Sequence, residues 1–98
     1  MTNIYFAHTS HMYGTSLEKQ IIDYLERDYD AVVINPKEVL PQGDKEQAIR
    51  ESVKYMLNNK VDMLVYVEFG GHIGEGIQRE IHAALAIGIP VFLFDALS

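Results

Sequence analysis

The stretch from Met63 to Phe94, MLVYVEFGGHIGEGIQREIHAALAIGIPVFLF, reads as strand, glycine-rich loop, helix and strand. MLVYV and PVFLF are short apolar runs rich in β-branched and aromatic residues, as buried strands are. Between them Ile77, Ile81, Ala84 and Leu85 recur on one helical face, and Gly88 closes that face as a left-handed helix stop. A strand, a helix and a second strand in this order make parallel strands joined by a right-handed crossover. Toward the amino terminus the pattern repeats. NIYFAH (3–8) is an apolar first strand, followed by a loop from His8 to Gly14. Thr15 and Glu18 have capping-box spacing, and Leu17, Ile21, Tyr24 and Leu25 mark a helix over roughly 16–27. AVVI (31–34) is a second strand, stopped by Asn35 and Pro36. Asp44 and Gln47 repeat the capping pattern ahead of a helix with Ile49, Val53, Met56 and Leu57 inward, ending near Asn58 and Asn59.

Strands alternating with helices predict an α/β three-layer sandwich of the flavodoxin or Rossmann-like kind, with a parallel sheet of four strands, or five, in the order 2-1-3-4. The 98 residues, 48% of them hydrophobic, suit one domain spanning 1–98. The order reverses between the first and third strands, and ligands of open sheets bind outside the carboxyl ends of the strands at such a reversal. Those ends are His8 to Thr15 and Glu68 to Gly76.

Composition narrows the partners. A net charge of −6 with no basic run offers no footprint for a nucleic-acid polymer. No cysteine is present, which removes thiolate nucleophiles, disulfides and thiolate metal sites. The longest apolar stretch, Ala83 to Phe94, is broken by Gly88 and Pro90 and falls short of the ~20 residues of a membrane helix. The opening residues lack a signal-peptide pattern. The expectation is a soluble, cytoplasmic protein that engages no membrane.

The loop GGHIGEG lets the backbone approach a ligand closely at Gly70, Gly71, Gly74 and Gly76, and the helix after it offers free N–H groups to an anion. It has neither the lysine and hydroxyl of a Walker A motif nor G-x-G-x-x-G spacing, and Glu75 repels an anion. Glu80, in or just past the opening turn, lies on the flank of the apolar stripe, where it faces the cleft edge or is a solvated carboxylate favoured by the helix dipole. His8 and His11, with His72 in the facing loop, raise the question of metal, but no strong ligand spacing occurs. Neither a metal nor another cofactor is expected. Ser10, Tyr13, Thr15 and Ser16 furnish hydroxyls for a sugar or phosphate. Asn35 is a base or ribose contact or a turn former, and His82 has no assigned chemistry.

The run GIQREIHAALAIGIPVFLF resembles the signature of the nucleoside 2-deoxyribosyltransferase-like superfamily: a G-x-x-x-E step into a helix ending A-x-A-x-G-x-P-V, matched by Gly76, Glu80, Ala84, Ala86, Gly88, Pro90 and Val91. IYFAHTSHMYGT and VVINP are similar to its first strand and loop and its second strand and turn. The resemblance implies an enzyme acting on the N-glycosidic bond of a nucleoside or nucleotide. In it Glu80 attacks the anomeric carbon, Tyr5 orients that carboxylate, and water or another base resolves the glycosyl-enzyme. Tyr5 has a second reading as a core tyrosine. The family's proton-donating aspartate, six residues before the nucleophile, is Gly74 here. Glu75 and Glu68 are the substitutes, and Glu68, just after LVYV, is the preferred acid/base, with an exposed strand-end glutamate as the alternative. The missing aspartate leaves hydrolysis, transfer and a non-catalytic nucleotide-binding or sensing domain open. The G-x-x-x-E step is also similar to that of lysine-decarboxylase-like phosphoribohydrolases. The expected substrate-side residues are His8, Ser10, Tyr13, Asn35, Gly70, Gly71, His72, Gly74 and Gly76. A homodimer or higher homo-oligomer is expected, through the aliphatic fourth strand and adjacent helix.

Overall fold

The computed structural model describes residues 2–8, 12, 14–35, 45–68 and 73–94. The elements in chain order are β1 (Thr2–Ala7), α1 (Ser16–Tyr29), β2 (Ala31–Ile34), α2 (Lys45–Asn58), β3 (Met63–Tyr66), α3 (Glu75–Ala86) and β4 (Val91–Leu93). Among the described residues all strand pairs are parallel, and the sheet has four strands in the order β2-β1-β3-β4, the order expected from the alternation of elements.

Strand alternation divides the core into two. Ile4 and Phe6 of β1 point with Val65 toward α1, where Ile21 and Leu25 are buried against them. Tyr5 and Ala7 point with Leu64 toward α2 and α3, where Met56, Ile77, Ala83 and Ala84 close the second layer. The β1–β3 register sets Tyr5 opposite Leu64 and Ala7 opposite Tyr66. It is fixed at the amino edge, where Asn3 N–H donates to Asp62 Oδ2 at 2.8 Å and Asp62 N–H donates to Asn3 O at 2.8 Å. Tyr5 is therefore an interior strand residue rather than a terminal one, with Phe6 and Ala7 still to follow.

Of the expected inward residues, Leu17 and Tyr24 of α1 are exposed at 37% and 38%, and Leu57 of α2 and Leu85 of α3 face outward. Leu57 and Leu85 are each 60% exposed, whereas the polar residues Ser52 and Glu80 are buried in their stead. Each leucine lies five residues past its buried polar counterpart, about 140° around the helix axis. The inner face of α3 is thus centred on Ile77, Glu80 and Ala84, with Ile81 only half-buried. Glu80 stands inside the apolar stripe and not on its flank.

The helix ends follow local chemistry. Thr15 caps α1, accepting from Glu18 N–H through its hydroxyl. At the end of α3, Ile89 N–H donates to Ala84 O and Gly88 N–H to Leu85 O, the paired bonds of a Schellman motif, with Gly88 at φ +78°. A Cβ at Gly88 would meet no atom within 4 Å, so Gly88→Ala costs only the left-handed backbone. We expect a loss of about 1 kcal/mol, seen as a lower urea midpoint at unchanged m-value.

Among the described residues α1 is the helix on its side of the sheet, where it contacts β2, and β3 and β4 are partly bare there. The result is an apolar groove of about 250 Å³ lined by Leu25, Tyr29, Met63, Val65, Phe92 and Phe94, among others. On the edge strand, Phe92 and Leu93 are 51% and 45% exposed. Among the described residues no helix is long and apolar enough to cross a membrane.

Candidate active site

Tyr5 and Glu80 meet between the sheet and α3. The Tyr5 hydroxyl donates to Glu80 Oε2, and the two residues are 2% and 3% exposed. β1 supplies the tyrosine because alternation turns position 5 toward α3, and α3 supplies the glutamate because position 80 is three residues after Ile77 on the inner face. Tyr55 of α2 packs edge-on against Tyr5, with ring centroids 6.0 Å apart. Among the described residues, Glu80 Oε1 accepts no hydrogen bond. Burial pushes the Glu80 carboxyl up to about 7, against the opposing effect of the Tyr5 hydrogen bond. A carboxyl at that value is chemically able to serve as either nucleophile or acid at neutral pH.

The other expected acids lie apart from this pair. Glu68 is half-buried just beyond β3, and strand alternation carries it to the face of Leu64 and Tyr66, the face that Tyr5 occupies. Counted along β3 it is four residues past Leu64, the neighbour of Tyr5, or about 13 Å of strand. Glu75 opens α3, exposed, with its carboxylate 3.2 Å from Arg79 Nη2. Gly74 is the N-cap of α3 and has no side chain to cap it. Gly76 follows in the first turn, where an added Cβ would meet nothing within 4 Å. Among the described residues no protein atom demands glycine there.

On the opposite face of the sheet the structure gathers a second polar group, which was not foreseen in the sequence as a unit. Glu18 does not complete the capping box by reaching back to Thr15. Its carboxylate accepts from Gly14 N–H at 3.0 Å, from His8 Nε2 at 2.7 Å and from Asn35 Nδ2 at 3.3 Å. His8 is 5% exposed. Its ring stacks on Phe6 with centroids 4.3 Å apart, and Nδ1 lies 3.1 Å from Phe6 O. His8 thus faces α1, away from the Tyr5–Glu80 pair. Burial by itself raises the Glu18 carboxyl, but the hydrogen bonds from His8, Gly14 and Asn35 and the charge of His8 outweigh it, and the net shift is downward from 4.5.

A lowered carboxyl stabilises the fold above its ordinary value, and that contribution is lost as pH falls through the lowered one. We expect Glu18→Gln to be less stable than the wild type at roughly pH 6, with the gap closing toward roughly pH 3 in urea titrations. A constant gap would show that the charge of Glu18 is immaterial.

Ser10, Tyr13, Gly70, Gly71 and His72, together with His11, lie outside the described residues. His82 is exposed on α3. Among the described residues, no three His, Cys, Asp or Glu side chains converge to hold a metal ion. No family model, curated protein or solved structure matches the chain.

Proposed function

We propose that the protein cleaves or transfers at the N-glycosidic bond of a nucleoside or nucleotide, with Glu80 as nucleophile, Tyr5 as its orienting residue and Glu68 as acid/base. The observation that supports this reading is the buried carboxyl of Glu80 receiving the Tyr5 hydroxyl, beside a sheet whose strand order reverses between β1 and β3. A carboxylate oxygen of Glu80 attacks the anomeric carbon as the bond to the base breaks, and the departing base takes a proton from Glu68. Water, or a second base, then attacks the same carbon, Glu68 recovers the proton, and the Glu80 carboxylate is released. The Tyr5 hydroxyl holds one carboxylate oxygen and so aims the other.

The test is incubation with nucleosides, deoxynucleotides and NAD, monitored for free base. Release in the wild type and none in Glu80→Ala is the expected result. Equal release in both would remove Glu80 from the chemistry. A second reading, a nucleotide binder without turnover, is favoured by the near-complete burial of Glu80 and by Gly74 where the family has an acid. In that case ligand binds and no base appears.

Gly76 gives a separate check. With open space around its Cβ position and a helical place in α3, Gly76→Ala should stabilise the fold by up to about 1 kcal/mol. If glycine serves the approach of a ligand, the same change weakens substrate binding. Tighter folding with unaltered KM would exclude a ligand contact at this turn. We further propose self-association through β4 and its neighbourhood, supported by the exposed Phe92 and Leu93 on the edge strand and Leu85 on α3.

A further inference from the structure

Asn35 follows β2 directly, one position beyond Ile34, which is the register partner of Tyr5. Alternation turns it to the α1 side, where its Nδ2 donates to Glu18 Oε2 at 3.3 Å. This contact fixes the amide orientation, because a carboxylate only accepts, and the reversed amide would set oxygen against oxygen. The carbonyl oxygen is thereby turned away from Glu18. Among the described residues Oδ1 has no hydrogen-bond partner, and it is buried although Asn35 as a whole is only half-buried. An orphaned acceptor of this kind destabilises the fold relative to a paired one, and such a group calls for an explanation, with a water, an ion or a ligand from outside the chain among the candidates. The location is the carboxyl edge of the strand next to β1, beside the reversal of strand order where open sheets take ligands.

We propose that Asn35 Oδ1 is a ligand-binding acceptor for a hydroxyl or amino donor, and that Glu18 is the positioning residue that aims it. Glu18 is suited to this because it is itself held from two further directions, by the amide of Gly14 ahead of α1 and by His8 at the end of β1. One carboxylate thus ties β1, the start of α1 and the end of β2 into a single rigid unit, and the free valence of that unit is the Asn35 oxygen. The ligand class rests on the nucleoside reading above: a nucleoside carries donors at its ribose hydroxyls and at the exocyclic amine of its base.

The experiment uses the full chain and four probes. Adenosine is compared with 2′-deoxyadenosine, 3′-deoxyadenosine and purine riboside, each of which lacks one donor, and dissociation constants are measured by calorimetry. In the wild type, one of the three analogues is expected to bind about tenfold more weakly than adenosine. In Asn35→Ala that discrimination collapses to about twofold or less. In Glu18→Gln it shrinks as well, because glutamine can meet either end of the Asn35 amide and no longer fixes its orientation. Glu80→Gln keeps the discrimination while losing base release. Full discrimination in Asn35→Ala, or a lower melting temperature in both variants with unchanged selectivity, would overturn the proposal and assign the oxygen to an internal water. Failure of all four probes to bind the wild type would remove this proposal together with the nucleoside reading. Unchanged base release in Glu80→Gln would remove only the catalytic one.

Discussion

Glu80→Gln is expected to abolish base release and, at roughly pH 8, to resist unfolding more strongly than the wild type by up to about 3 kcal/mol. The two effects share a cause. Burial lifts the Glu80 carboxyl from 4.5 to about 7, so the folded state prefers the protonated form. For a raised carboxyl the stabilising contribution is fully present below the unfolded value and is lost as pH rises through the folded one. The wild type therefore weakens between roughly pH 4.5 and pH 7 and is level above that, carrying a buried charge with one hydroxyl for a partner. Glutamine keeps the shape and an acceptor for the Tyr5 hydroxyl, and it never ionises. Its advantage should fall to about 1 kcal/mol at roughly pH 5, where the wild-type carboxyl is already protonated. Denaturant titrations at the two pH values read this directly. Loss of the proposed covalent nucleophile should lower kcat/KM by about a thousandfold or more. A variant less stable than the wild type at high pH would mean that Glu80 is not the strained group argued here.

That strain also explains why part of the site could be read in the sequence and part could not. The β-α alternation of apolar runs carries enough information to order the sheet, since crossover handedness leaves few arrangements for four parallel strands. The Tyr5–Glu80 meeting follows from two periodicities: a two-residue alternation that turns position 5 toward the helices, and a helical repeat that brings position 80 to the sheet. The same helical repeat, applied to apolar residues alone, misplaced the centre of the stripe. Leu57 and Leu85 looked inward because leucine is apolar, while Ser52 and Glu80 hold the inward positions. A buried polar residue violates the pattern that locates it, so its burial is visible only when the neighbouring turns are packed against something.

The Glu18 cluster was hidden for a different reason. Thr15 and Glu18 have the spacing of a local capping box, and Thr15 does cap the helix. Helix-local spacing cannot say that the glutamate turns away to partners ten and seventeen positions distant, at His8 and Asn35. Such contacts depend on β1 and β2 lying side by side, which is a property of the sheet and not of any short motif. Their place after strands marks His8 and Asn35, like the loop residues, as expected ligand contacts. In the folded chain both also bind Glu18, on the side of the sheet away from Glu80.

Tyr5→Phe separates the chemistry of the Tyr5 hydroxyl from the packing of its ring. Phenylalanine preserves the edge-on contact with Tyr55 and removes the donor to Glu80. The hydrogen bond opposes the upward push of burial on the Glu80 carboxyl, so its loss moves that carboxyl further up. At a given pH below the new value, less of the protein carries the proposed nucleophile in its ionised form, and kcat/KM should fall. Raising the pH restores the carboxylate and recovers activity. A hydrogen bond to a charged group is worth about 1.5–3 kcal/mol, which sets the fall on the acid side at about ten- to hundredfold. The acid limb of the pH–rate profile should shift upward, with a smaller deficit on the alkaline side. A core tyrosine without a catalytic part would give an equal loss at every pH, or none, and the limb would stay where it is in the wild type. Stability provides the control: the ionised carboxylate loses its partner in the variant, so Tyr5→Phe should unfold more easily than the wild type at roughly pH 8 and approach it at roughly pH 5, where a neutral carboxyl needs the hydroxyl less.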